Sequence, residues 1–104
     1  MALIERSDPT REACTWDSLG YIDYHTGHHE HAIRHYRQAL AVYRDHGHAY
    51  HVAGSLDRLG HPHAALGQHD QARAVWREAL KLYQDQHRDT DAARLQRELD
   101  DLTN

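Results

Sequence analysis

The chain has 104 residues, 39% of them hydrophobic and none of them Phe, which fits one domain with a core of Ala, Leu, Val, Tyr and Trp. Its formal charge of −4, with eleven Arg and a single Lys scattered along the chain, argues against a nucleic-acid groove, which needs clustered cations. A lone Cys14 excludes a disulfide framework and points to a reducing cytoplasm, while Met1–Arg6 lacks the pattern of a signal peptide and no apolar run approaches the roughly 18 residues of a membrane span.

Five helices are expected. Asp8 and Pro9 open the first, because Asp8 can cap free backbone amides and Pro9 needs no N–H at the first helical position. It runs to about Thr26 with Ala13, Trp16, Leu19, Gly20 and Tyr24 on one stripe, and Gly27 supplies the left-handed residue that ends it. The second spans about His29 to His46, with Ala32, Tyr36, Ala39, Leu40 and Tyr43 on one face of a helical period, and Gly47 closes it. The third begins near His48. Gly54 and Pro62 lie inside its pattern, so a kink or early end is expected between Leu59 and Pro62, as a tolerated bend on the solvent side or, alternatively, a functional hinge. The fourth spans about His69 to Gln86 with Ala72, Trp76, Ala79, Leu80 and Tyr83 inward. The fifth, about Thr90 to Leu102, turns Leu95, Leu99 and Leu102 inward and places Asp89 and Asp91 where a helix dipole favours negative charge.

The chain nearly repeats itself at an offset of 40 residues. Leu19-Gly20 recurs as Leu59-Gly60, Gly27 as Gly67, His29 as His69, Ala32 as Ala72, Tyr36 as Trp76, Ala39-Leu40 as Ala79-Leu80, and Tyr43 as Tyr83. A fixed period of this size marks a stacked-repeat protein in which each helical pair buries one face on its neighbour. Gly20 and Gly60 would let paired helices approach closely, and the four alanines would leave room for aromatic knobs.

Trp16, Leu19, Gly20, Gly27, Ala32, Tyr36 and Ala39, matched in register by Leu56, Leu59, Gly60, Gly67, Ala72, Trp76 and Ala79, resemble the tetratricopeptide repeat over residues 9 to 87. The period is longer than that family's usual repeat and is similar to its long variants. The aromatic expected late in the first helix is displaced, with Asp23 and His63 in its place and Tyr24 one residue on. Gly47 stands in for the proline that often ends a unit. The strings at 11–21 and 59–76 further resemble the C-terminal repeats of actinomycete transcriptional regulators of the antibiotic-regulatory type, which place a DNA-binding and a nucleotide-binding domain ahead of such repeats. The abundance of Arg, Ala, Asp and His fits a GC-rich genome. No Gly-rich phosphate loop with a following Lys occurs here, so the resemblance extends to the repeat tail alone.

Twelve histidines invite a metal reading, and His31 and His35 share a helical face at a spacing of four. No Cys or Glu-x-x-His arrangement completes a ligand set, so no metal or cofactor is expected. His29 and His69 sit at equivalent repeat positions and are expected to be packing residues. Cys14, near Asp17 and Ser18, is expected to be a small core residue, and Asp100-Asp101 a solvated pair. No nucleophile, base and orienting group can be assembled, so no enzyme activity is expected.

By repeat register the inner surface of the first helices carries Cys14, Asp17, Tyr21, Tyr24 and His25, then Gly54, Asp57, His61 and Ala65. Asp17, Tyr21, Tyr24, His25, Asp57 and His61 are the candidate partner-binding residues. With no Lys or Arg at these positions, the surface suits a peptide carrying a cation or amide better than an acidic tail. The expected architecture is an all-α, right-handed stack of two long helix pairs, about 9–47 and 48–87, plus a capping helix at about 89–102, all in one domain over 1–104. Its expected role is protein–protein or interdomain contact in a transcriptional regulator, without direct nucleic-acid or membrane binding. The alternatives are a signal-peptide or small-ligand receptor lined by Tyr21, Tyr24 and His61, and a self-associating module. Two repeats leave apolar end surface, which would suit a homodimer through the open N-terminal face.

Overall fold

In a computed structural model, which describes residues 8–103, helices start at intervals of twenty residues: α1 Pro9–His25, α2 His29–Asp45, α3 Ala49–Ala65, α4 His69–Asp85 and α5 Asp89–Thr103. The reading of Met1–Arg6 lies outside the described residues. Asp8 caps α1 by accepting a hydrogen bond from the Thr10 amide at 3.0 Å, with Pro9 as the first helical residue.

One mechanism ends α1 to α4. Gly27, Gly47 and Gly67 adopt φ of 85°, 66° and 76°, and His87 does the same work at 57°. Each left-handed residue lets the next amide reach back to an orphan carbonyl in the last turn. His28 N–H thus bonds Asp23 C=O at 2.7 Å, His48 bonds Tyr43, Gln68 bonds His63, and Arg88 bonds Tyr83 at 2.8 Å. These turns are three residues long, so consecutive helices run antiparallel and each packs on the next.

The contact surfaces follow the small-and-large alternation of the sequence. Ala13, Ala32, Ala39, Ala53, Ala72 and Ala79 are fully covered, and Tyr36, Tyr43, Trp76 and Tyr83 fill the spaces between helices. Gly20 lies directly under the Tyr36 ring and Gly60 under Trp76. A Cβ at Gly20 would sit 2.7 Å from Tyr36, and one at Gly60 only 2.0 Å from Trp76 Nε1. That nitrogen donates to the Asp57 carbonyl at 2.8 Å, so the indole is both wedged and tethered. In α5, Leu95 and Leu99 are buried against α4 and Leu102 is half-buried, which seals this end of the all-α helical stack.

Four expectations require correction. The third helix does not end near Pro62 but continues through it to Ala65, and Pro62 is fully buried, not on the solvent side. Its ring removes one helical hydrogen bond, to the Arg58 carbonyl. The turn beyond it is still closed by the Leu66, Gly67 and Gln68 amides bonding the carbonyls of Pro62, Ala64 and His63. Leu19 is 38% exposed although its counterpart Leu59 is 2% exposed, because α2 packs on α3 at Leu59 whereas no described helix packs on α1 at Leu19. His29 and His69 do not share a role: His29 is half-buried against the Tyr24 ring at 5.3 Å, whereas His69 is exposed. Cys14, finally, is exposed, with Sγ 3.4 Å from the Tyr43 hydroxyl.

Candidate functional site

The last turn of α1 presents Tyr21, Tyr24 and His25, and the facing stretch of α3 presents Arg58 and His61. With Tyr36 of α2 they line an open recess of about 340 Å³. The helical spacing explains the grouping: Tyr21, Tyr24 and His25 are three and four apart, and so are Gly54, Arg58 and His61. Their rings form a nearly continuous wall. Tyr21 meets His25 at 4.2 Å between centroids, Tyr24 meets His25 at 5.1 Å and His61 at 6.0 Å, and His61 rests edge-on against Trp76 at 5.2 Å. Tyr21 is 57% exposed at the rim.

Four of the six candidate residues therefore converge on one recess, and the two aspartates do other work. Asp17 accepts a hydrogen bond from Arg58 at 2.9 Å and from Ser55 at 3.4 Å. Burial raises its carboxyl above the ordinary carboxylate value, against the pull of the Arg58 charge. The pair fixes the guanidinium across the floor between α1 and α3. Asp57 is buried beneath α4 and α5, where it accepts from Tyr83 Oη at 2.8 Å and from Arg94. Hydrogen bonding to Asp57 raises the Arg94 pKa further. His61 lies 3.8 Å from the same carboxylate, so Asp57 positions the floor of the recess without opening onto it.

The expectation that no cation lines this surface is overturned by Arg58. Its side chain is 41% exposed and folds back over Gly54, where its Nη1 lies 3.3 Å from where a Cβ would stand. The signal was present: Arg58 follows Gly54 by four and precedes His61 by three, and both of those were already assigned to the inner surface. Tyr36 was read only as a core knob. Burial pushes its phenol up to about 12, which reinforces the protonated form a phenol already holds near neutrality.

A second cavity of about 360 Å³ lies between α2 and α4, over Leu56 and Leu59 of α3. It is spanned by the Arg44–Glu78 ion pair at 2.5 Å, so its rim charges answer each other. Among the described residues no group of three or more His, Cys, Asp or Glu is placed to hold a metal. His31 stacks on His28 at 5.8 Å, while His35 pairs with Asp23 at 2.5 Å, so the two do not share a ligand position. Among the described residues no helix is long and apolar enough to cross a membrane.

Comparison with known protein families matches residues 17–46 and 52–85 to the tetratricopeptide repeat. No curated protein is significantly similar to the chain. The two matched segments cover more than half of the sequence and fall on α1–α2 and α3–α4, the two helix pairs whose glycines, alanines and aromatics interlock at the same offset: the chain belongs to the tetratricopeptide repeat family.

Proposed function

We propose that this chain is a protein–protein interaction module that holds an extended peptide or a loop of a partner protein in the Tyr21–Tyr24–His25–Arg58–His61 recess. Tetratricopeptide repeats generally mediate such contacts and are non-catalytic, which supports the reading. The carrying observation is the recess itself. Exposed aromatic faces, two imidazoles and the Tyr36 hydroxyl surround a guanidinium whose charge Asp17 largely answers. Such a surface offers stacking area and neutral hydrogen bonds, as amphipathic aromatics do at interfaces. It suits an amide-rich or aromatic segment better than a bare acidic tail, because an incoming carboxylate would compete with Asp17 for Arg58. The reading is tested with a displayed peptide library selected on the chain. Enriched peptides should lose at least about tenfold in affinity when Tyr21→Ala and His61→Ala are combined, a loss of about 1.4 kcal/mol. Enriched peptides that ignore these substitutions would sink it.

In the wider setting we place the chain as the repeat tail of a cytoplasmic bacterial transcriptional regulator, where the recess would dock another domain and bias the regulator between two arrangements. The support is the likeness of residues 11–21 and 59–76 to the repeats of actinomycete regulators. An immunoblot of the source cells showing a band many times larger than 12.1 kDa is the expected result, and a band at the chain's own size would contradict it. The aromatic grouping of Tyr21, Tyr24 and His61 on one recess also favours a second reading, a receptor for a small signal peptide. Thermal stabilisation by a short peptide alone would select that one.

A further inference from the structure

The polar ends of the side chains around the recess are largely unspent. Tyr36 is 2% exposed and its ring lies on Gly20, yet its hydroxyl, at the recess, has no hydrogen-bond partner among the described residues. The hydroxyls of Tyr21 and Tyr24 and the ring nitrogens of His25 have none there either. In Arg58, Nη2 bonds Asp17 while Nε is buried without a partner. The nearby carboxylates are in the opposite condition. Asp17 is taken up by Arg58 and Ser55, and Asp57 by Tyr83 and Arg94.

This imbalance selects the chemistry of an occupant. Hydroxyls and neutral imidazoles can turn to donate or accept, but a guanidinium can only donate, and both carboxylates that could take an N–H are engaged. An ordinary extended segment brings one N–H for every C=O. Laid in this recess, its carbonyls find donors, while its N–H groups lose water and meet no fixed acceptor. Proline has a carbonyl and no N–H. Its polyproline II conformation is largely formed before binding and leaves the carbonyls free, and such segments dock in aromatic-lined grooves. Charged segments fit less well. A carboxylate competes with Asp17 for Arg58, and a cation meets Arg58 with both aspartates already paired.

We infer that the recess takes an uncharged, proline-rich segment of a partner protein in the polyproline II conformation, its carbonyl oxygens received by Arg58 and the Tyr36 hydroxyl and its rings laid on Tyr21, Tyr24 and His61. This rests on the interaction reading given above and narrows it to one class of peptide.

A proton–nitrogen NMR titration of the chain with two uncharged, end-blocked peptides tests it: an oligoproline of about ten residues, long enough for several turns of that helix, and an Ala-Gln repeat of the same length. The oligoproline should shift the amides of Tyr21, Tyr24 and His61 and bind at least about tenfold more tightly than the repeat. Tyr36→Phe keeps the ring over Gly20 and removes a hydroxyl without a partner among the described residues. It should therefore retain the parent Tm yet weaken the oligoproline at least about threefold. Equal affinity for the two peptides, shifts confined to residues outside the recess, an affinity that Tyr36→Phe leaves unchanged, or a Tm that it lowers would each overturn the inference. Absent oligoproline binding, with library peptides that still require Tyr21 and His61, would overturn the proline preference and leave the interaction reading standing. Library peptides indifferent to both residues would remove the two together.

Discussion

Replacing Gly60 by Ala should destabilise this chain severely, although alanine is the better helix former by about 1 kcal/mol. The new Cβ would stand 2.0, 2.3 and 2.5 Å from Nε1, Cε2 and Cδ1 of Trp76. The indole cannot simply swing away. It is 3% exposed, and its N–H is tied to the Asp57 carbonyl at 2.8 Å. Overpacking of this kind costs about 1–3 kcal/mol, and a broken buried hydrogen bond about 1–3 kcal/mol more. After the propensity gain, a net loss of about 3 kcal/mol remains, which for a domain of this size lowers Tm by on the order of 15 °C. Gly54→Ala is the matched control. It lies in the same helix, but its Cβ would meet only the guanidinium of Arg58 at 3.3 Å, a long side chain that can give by a few tenths of an ångström while keeping its Asp17 bond. It should keep the propensity gain and melt at or slightly above the parent. Far-UV circular dichroism melts of the three proteins decide the matter. Equal melting points for Gly60→Ala and Gly54→Ala would refute the claim that close helix approach at Gly60 sets the geometry of the α3–α4 pair.

Two further outcomes are expected. His87 is the one described non-Gly residue at positive φ, 57°, where an L side chain is strained, so His87→Gly should raise the urea midpoint by the equivalent of roughly 0.5–1 kcal/mol, and a lower midpoint would contradict this. Burial lowers the pKa of His63 below its usual 6.5, so the folded state prefers the neutral ring. Between 6.5 and that lowered value the unfolded chain binds more protons, so stability present above 6.5 is lost as pH falls through this window. Tm measured against pH should therefore fall less steeply in His63→Gln, and unchanged steepness would count against the assignment.

Much of the fold was legible because its signals are local. The three turn glycines, the cap at Asp8 and the alternation of Ala with Tyr and Trp each act within a few residues, and the 40-residue repetition multiplies them. The helix starts expected from sequence fall within about a residue of those observed. Pro62 misled because its helix-breaking tendency is also local, whereas the burial that tolerates it comes from neighbouring helices. The recess was only partly legible. Tyr21, Tyr24, His25 and His61 follow from register, but register assigns a face and not a contact. It could not show that Asp57 is drawn under α5 by Tyr83 and Arg94, or that Asp17 anchors an arginine 41 residues away.

The sequence by itself thus determined the five helices, their starts, the glycine turns that end α1 and α2 and the membership of the repeat family, since all of these rest on periodicity and on residues within reach of their own backbone. Tertiary structure alone decided which copy of a repeated position is buried. Leu19 and Leu59 are the same residue in the same register, yet one meets solvent and the other a preceding helix. It also decided the chemistry of the recess, because side chains such as Arg58 choose among partners that only packing brings within hydrogen-bonding distance.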